Sequence, residues 1–142
     1  DLDNAIKVYR HALACQPDHA GGHYNLGNAL LAAKQFESAL AAYDRALALA
    51  PEMIDAMVCR AAALEDLGRT RDAESALRLV LSQRPQSVGV WKNLARLFSL
   101  ARRYEEAAEA LEEVMALQPD DPDAQGCWLT ARMTACNWNG VE

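Results

Sequence analysis

Residues that build sheets are scarce in this sequence. Val, Ile and Thr together number 12 in 142 residues, whereas Ala and Leu number 47. β-Branched side chains lose rotamer freedom in helices and suit strands, so the balance favours helix. No run of 18 apolar residues exists, which excludes a membrane-spanning helix. The opening Asp1-Leu2-Asp3-Asn4 lacks a basic stretch followed by a long apolar one, so no signal peptide is visible. An initiator methionine is also lacking, and the chain is expected to be part of a longer one. Lys and Arg are outnumbered, 14 against 20 acids, with no basic stripe. Nucleic acid is disfavoured as a partner, because phosphate binding relies on clustered cations that release counterions. The four cysteines, Cys15, Cys59, Cys127 and Cys136, form no C-x-x-C pair. They read as reduced thiols, and the expected location is cytoplasmic.

Catalytic and metal-binding signatures are missing as well. His11, His19 and His23 form no H-E-x-x-H arrangement and have no cysteines at zinc spacing. His23 falls in a column with Met57 and Trp91 and is expected to pack. Gly21-Gly22 and Gly27 follow no strand and precede no Lys-Ser/Thr, so they are not a phosphate loop. No catalytic residue, cofactor or metal is expected, and the chain reads as a non-enzyme.

What is present is a period. Pro17, Pro51, Pro85 and Pro119 stand 34 residues apart. Proline breaks helices, so this is punctuation of a repeat array. Aligned as 20–53, 54–87 and 88–121, the units share columns. Position 8 holds Gly27, Ala61 and Ala95. Position 11 holds Leu30, Leu64 and Phe98. Position 20 holds Ala39, Ala73 and Ala107, with Ala5 before them. Position 24 holds Tyr9, Tyr43, Leu77 and Leu111, and position 27 holds Ala12, Ala46, Val80 and Val114. Apolar residues recur at helical spacing on either side of short breaks at Ala33-Lys34-Gln35, Leu67-Gly68-Arg69 and Ala101-Arg102-Arg103. Each unit is therefore two helices. The small residues at positions 8 and 20 are expected to let them cross closely.

These columns resemble the tetratricopeptide repeat, with Asn25-Leu26-Gly27 early in the first helix, Ala39, Tyr43 and Ala46 in the second, and Pro51 after it. The resemblance implies an all-α solenoid of antiparallel helix pairs in a right-handed superhelix. Residues 1–19 read as the second helix of a truncated repeat. Residues 122–142 read as a capping helix or the start of a further domain. The implied function is capture of a protein or peptide on the concave face lined by first helices. The groove residues expected there are Tyr24, Asn25, Asn28, Asp55, Cys59, Glu65, Lys92, Asn93 and Arg96. Asparagine, both donor and acceptor, can hold a peptide backbone. Position 6 reads Asn25, Cys59, Asn93, Cys127, a partial version of the asparagine ladder of O-linked N-acetylglucosamine transferases. A carboxylate clamp of the kind known in the family is matched only at Asn28. Cys136-Asn137-Trp138 resembles the Cys-Asp-Trp segment at the repeat-to-catalytic junction of bacterial transferase-like and SPINDLY-like proteins, with Asn in place of Asp. A docking arm of a larger glycosyltransferase is thus the second expectation. Self-association through the ends, with Trp128 and Trp138 near one of them, is the third. Glu105 to Glu113 reads as a solvated outer face.

Overall fold

A computed structural model describes residues 1–138, except for the side chains of Asn137 and Trp138. Among the described residues eight helices follow one another: α1 (Leu2–Cys15), α2 (Ala20–Ala32), α3 (Phe36–Leu49), α4 (Ile54–Asp66), α5 (Thr70–Gln83), α6 (Val88–Leu100), α7 (Tyr104–Leu117) and α8 (Pro122–Trp138). No strand occurs among the described residues. The contacts divide the chain into two compact units, Asp1–Val80 and Leu81–Glu142.

In the first unit α2 packs on both α1 and α3, and α3 packs on α4. Ile6, Leu26, Leu30, Ala39, Ala42, Tyr43 and Ala63 form a core cluster there. The small residues act as expected, with one change of partner. A Cβ added at Gly27 would stand 2.5 Å from Cε1 of Tyr43, and its three nearest atoms all belong to that ring. The closest approach at Gly27 is therefore made by Tyr43 of position 24. The aromatic ring occupies the space that a side chain would need.

Positions 11, 20, 24 and 27 are buried wherever they fall in α2 to α7. In α1 they are not: Ala5 and Tyr9 are half-buried and Ala12 is exposed. Here α1 rests on α2 through Ile6 and Leu13, and the Val8–Ala12 side faces away from that contact, with Val8 64% exposed.

In the second unit α6 packs on α7, and α7 on α8. Leu94, Leu97, Phe98, Ala107, Leu111 and Val114 are buried. The buried residues of α8, Ala124, Ala131 and Ala135, lie on one face at helical spacing, while Leu129 at position 8 is 54% exposed. Trp128 is half-buried and donates its indole N–H to Glu112 Oε1 at 2.9 Å, with the Arg132 guanidinium 6.0 Å from its ring centroid. One of the two tryptophans expected to serve self-association is thus engaged within the unit. The side chain of the other, Trp138, lies outside the described residues.

The three short breaks share one backbone solution. Lys34, Gly68 and Arg102 adopt φ of 58°, 73° and 59°. The amides of Lys34 and Gln35 bond to the carbonyls of Leu31 and Leu30. Gly68 and Arg69 repeat this on Glu65 and Leu64, and Arg102 and Arg103 on Ser99 and Phe98. This is a Schellman ending, which satisfies the last carbonyls of a helix and requires a left-handed residue. Only the second break places glycine there. Lys34→Gly and Arg102→Gly are each expected to stabilise the fold by about 0.5–1 kcal/mol, and Gly68→Ala to destabilise it by about 1 kcal/mol. Urea unfolding followed by circular dichroism would check the three signs. A stabilising Gly68→Ala would contradict the strain.

Candidate functional site

The prolines leave carbonyls at the junctions, and the structure ties three of them down. His23 Nε2 meets the Pro17 carbonyl oxygen at 2.8 Å, Trp91 Nε1 donates to that of Pro85 at 2.9 Å, and Gln125 Nε2 to that of Pro119 at 2.9 Å. Each donor lies six residues after its proline. His23, expected only to pack, is also a hydrogen-bonding residue. Met57 holds the equivalent position after Pro51 and has no N–H to give. These contacts orient the starts of α2, α6 and α8, and so the faces that those helices present.

In the first unit the expected residues fall into two groups. Asn25 and Asp55 are exposed, and Glu65 is half-buried. Tyr24, Asn28 and Cys59 are half-buried and joined to one another through Tyr43. The Tyr43 hydroxyl donates to Asn28 Oδ1 at 2.8 Å. The Tyr24 hydroxyl lies 4.0 Å from Cys59 Sγ, and its ring centroid 6.2 Å from that of Tyr43. Burial pushes the Cys59 thiol above the usual range, against the hydrogen bonds of Tyr24 and Tyr43 that favour its thiolate, and the charge of Asp55 adds to the rise. Burial likewise raises the Tyr43 phenol. At Tyr24 the Asn28 hydrogen bond works downward, but burial and the Cys59 sulfur outweigh it, and the phenol is raised. All three groups thus hold their protons at neutral pH. The cluster is a neutral hydrogen-bonded patch linking α2, α3 and α4, and not a nucleophile. Asn28, expected to serve a ligand, has its oxygen occupied by Tyr43.

In the second unit a cleft of about 390 Å³ opens beside α6 and α8 over α7. Ala95, Leu111 and Ala124 are its buried floor, and Lys92, Arg96, Ser99, Asp123 and Cys127 complete its lining. Lys92 was expected to offer its charge to a ligand. Its ammonium instead pairs with the Asp121 carboxylate, whose other oxygen accepts the Ala124 amide of α8 at 3.0 Å. The hydrogen bond from Lys92 holds Asp121 below the usual carboxylate range, and the same bond raises Lys92. Asp121 therefore latches the start of α8 to α6. Arg96 is exposed along the cleft, and Asn93, half-buried, is not among its lining residues. The acidic run on α7 is exposed at Glu105, Glu109, Glu112 and Glu113, with Glu106 half-buried.

Lys34, Arg102 and the junction hydrogen bonds escaped sequence reasoning. The second had a readable signal: a donor-bearing side chain six residues after a proline, three times. Among the described residues no group of three or more His, Cys, Asp or Glu is placed to hold a metal ion, and no helix is long and apolar enough to cross a membrane.

Antiparallel helix pairs, small-residue crossings and Schellman breaks at a 34-residue spacing define a helical-repeat protein. Family models for the tetratricopeptide repeat match residues 20–53 and 64–126, and a further TPR repeat model matches residues 1–34. The chain belongs to the tetratricopeptide repeat family. Among solved structures it resembles a tetratricopeptide repeat protein from Parabacteroides merdae, with a TM-score of 0.88 at 19% identity over 98% of this chain and 56% of that one. It also resembles MamA, with a TM-score of 0.84 at 18% identity over 92% of this chain and 77% of that one. Among curated proteins it is 28% identical over 141 residues to cellulose synthase operon protein C of Xanthomonas axonopodis pv. citri, covering 94% of this chain. It is 26% identical over 100 residues to human protein O-mannosyl-transferase TMTC1, covering 70% of this chain. The chain spans only 9% and 10% of those two relatives. These repeats mark the chain as a protein-interaction module.

Proposed function

We propose that the chain captures a peptide segment of a protein partner along the faces of its first helices, with 20–53, 54–87 and 88–121 as its repeats. The cleft beside α6 and α8 carries this reading. It combines an apolar floor of Ala95, Leu111 and Ala124 with the charges of Arg96 and Asp123 on its lining. Such a mixture suits an apolar side chain flanked by polar peptide groups, since apolar burial supplies affinity and a few polar groups fix orientation. In the first unit Asn25 and Asp55 are the exposed polar contacts, and Asp55 and Glu65 favour a partner with some basic character. The neutral patch of Tyr24, Asn28 and Cys59 is their half-buried support. We read the chain as non-catalytic and place it in the cytoplasm.

A second reading is kept by the printed names of two curated relatives, which are protein O-mannosyl-transferases. In it, these repeats are a docking arm of a larger glycosyltransferase. The resemblance at Cys136-Asn137-Trp138 rests in part on side chains outside the described residues.

The test is a random peptide library displayed on phage, selected on the whole chain. Cys127 is exposed on the cleft wall, so Cys127→Trp would fill the cleft without replacing a buried residue. Selected peptides are expected to carry an apolar anchor and to lose at least about tenfold in affinity for Cys127→Trp, equivalent to about 1.4 kcal/mol. Peptides that bind both forms equally would place recognition elsewhere.

A further inference from the structure

Each residue lining the cleft beside α6 and α8 stands two 34-residue repeats after a residue of α2, α3 or α4. The first unit therefore shows how the same columns pack with other side chains. Two rings fill the space there. Tyr43 is fully buried against Gly27, and Tyr24 lies beside it, with ring centroids 6.2 Å apart and planes inclined by 48°. The Tyr24 hydroxyl comes within 4.0 Å of Cys59 Sγ.

In the second unit the deeper ring has a substitute and the outer one has none. Leu111 stands in the column of Tyr43, and the added methyl of Ala95, in the column of Gly27, makes up part of the difference in the floor. The column of Tyr24 holds Lys92, whose ammonium is drawn to Asp121 at the start of α8. Ala124 repeats Ala56 as a buried small residue. Cys127 repeats Cys59, but it is exposed where Cys59 is half-buried. We propose that the cleft takes an aromatic side chain of the partner peptide, seated over Ala95, Leu111 and Ala124 in the place that Tyr24 fills in the first unit. A ring suits this place physically. It brings a large apolar area with few rotatable bonds, and its edge can meet the sulfur on the wall. The cleft, at about 390 Å³, is of the size that small ligand groups occupy. The inference rests on the peptide capture proposed above and narrows its apolar anchor to an aromatic one. Selected peptides anchored by aliphatic side chains would uphold that reading and defeat this one, so the two can fail separately.

The test titrates N-acetyltyrosinamide, and separately N-acetylleucinamide, into the whole 15N-labelled chain at millimolar concentrations. The tyrosine derivative is expected to shift the amide signals of Ala95, Ala124 and Cys127 and to bind about fivefold more tightly than the leucine derivative. The amides of Tyr24 and Cys59, where a ring is already in place, should not move. Lys92→Tyr supplies the missing ring within the chain and should remove the shifts. Because it also breaks the pair with Asp121, a second variant leaves that pair intact: Cys127→Trp should weaken binding by at least about tenfold. Absence of shifts at the cleft would overturn the proposal. So would equal or tighter binding of the leucine derivative, shifts of equal size at Tyr24, or binding that survives in either variant.

Discussion

Gly27→Ala is expected to destabilise the first unit by about 1–3 kcal/mol, a large effect for one methyl group on a helix, where alanine is ordinarily the better residue. The cause is the Tyr43 ring, which would lie 2.5 Å from the new Cβ and is itself fully buried with its hydroxyl tied to Asn28. The ring cannot swing away without breaking that hydrogen bond and opening the core. The other repeats show the compensating solution: Ala61 and Ala95 at position 8 accompany Leu77 and Leu111 at position 24. Tyr43→Leu alone should cost on the order of 2 kcal/mol through the space it leaves. The double variant Gly27→Ala with Tyr43→Leu should then lose at least about 1 kcal/mol less than the sum of the single changes. Urea unfolding of the four proteins gives this coupling directly. Additivity within about 0.5 kcal/mol would mean that the two positions do not share space.

Ala73→Leu is expected to cost about 1–3 kcal/mol, because Ala73 is completely buried, as are Ala39 and Ala107 at the equivalent positions. Three added heavy atoms there have nowhere to go in a close-packed interior. The same substitution at Ala12, a column member that the structure leaves exposed, should change stability by no more than about 0.5 kcal/mol. Thermal unfolding of both variants separates a packing rule that holds in every helix from one that depends on what covers the helix. Equal losses at the two sites would refute the burial difference.

Much of the architecture was legible because helix pairs repeat the same local problem. Proline spacing marked the junctions, and apolar spacing marked the inward faces. The same small-and-large columns recur as buried positions from Leu30 to Val114. The left-handed breaks were only one-third legible. Gly68 signals such a turn, but Lys34 and Arg102 take the same conformation with side chains that ordinarily avoid it. There the Schellman hydrogen bonds and the packing of the flanking helices outweigh a local cost of about 1–2 kcal/mol. The site residues were legible as a face and not as partners. Helical spacing put Tyr24, Asn28, Lys92 and Arg96 on the first helices, but not the hydroxyl of Tyr43 on Asn28 or the carboxylate of Asp121 on Lys92.

The sequence by itself therefore determined the helices, their period and which columns turn inward, since these follow from backbone sterics and from apolar spacing within a few turns. Tertiary structure alone decided which polar side chains remain available. Asn28 and Lys92 find their partners 15 and 29 residues away in sequence, on a neighbouring helix and at the start of another. Such pairs form only after packing brings the elements together, and a hydrogen bond or ion pair made within the chain withdraws that group from any ligand.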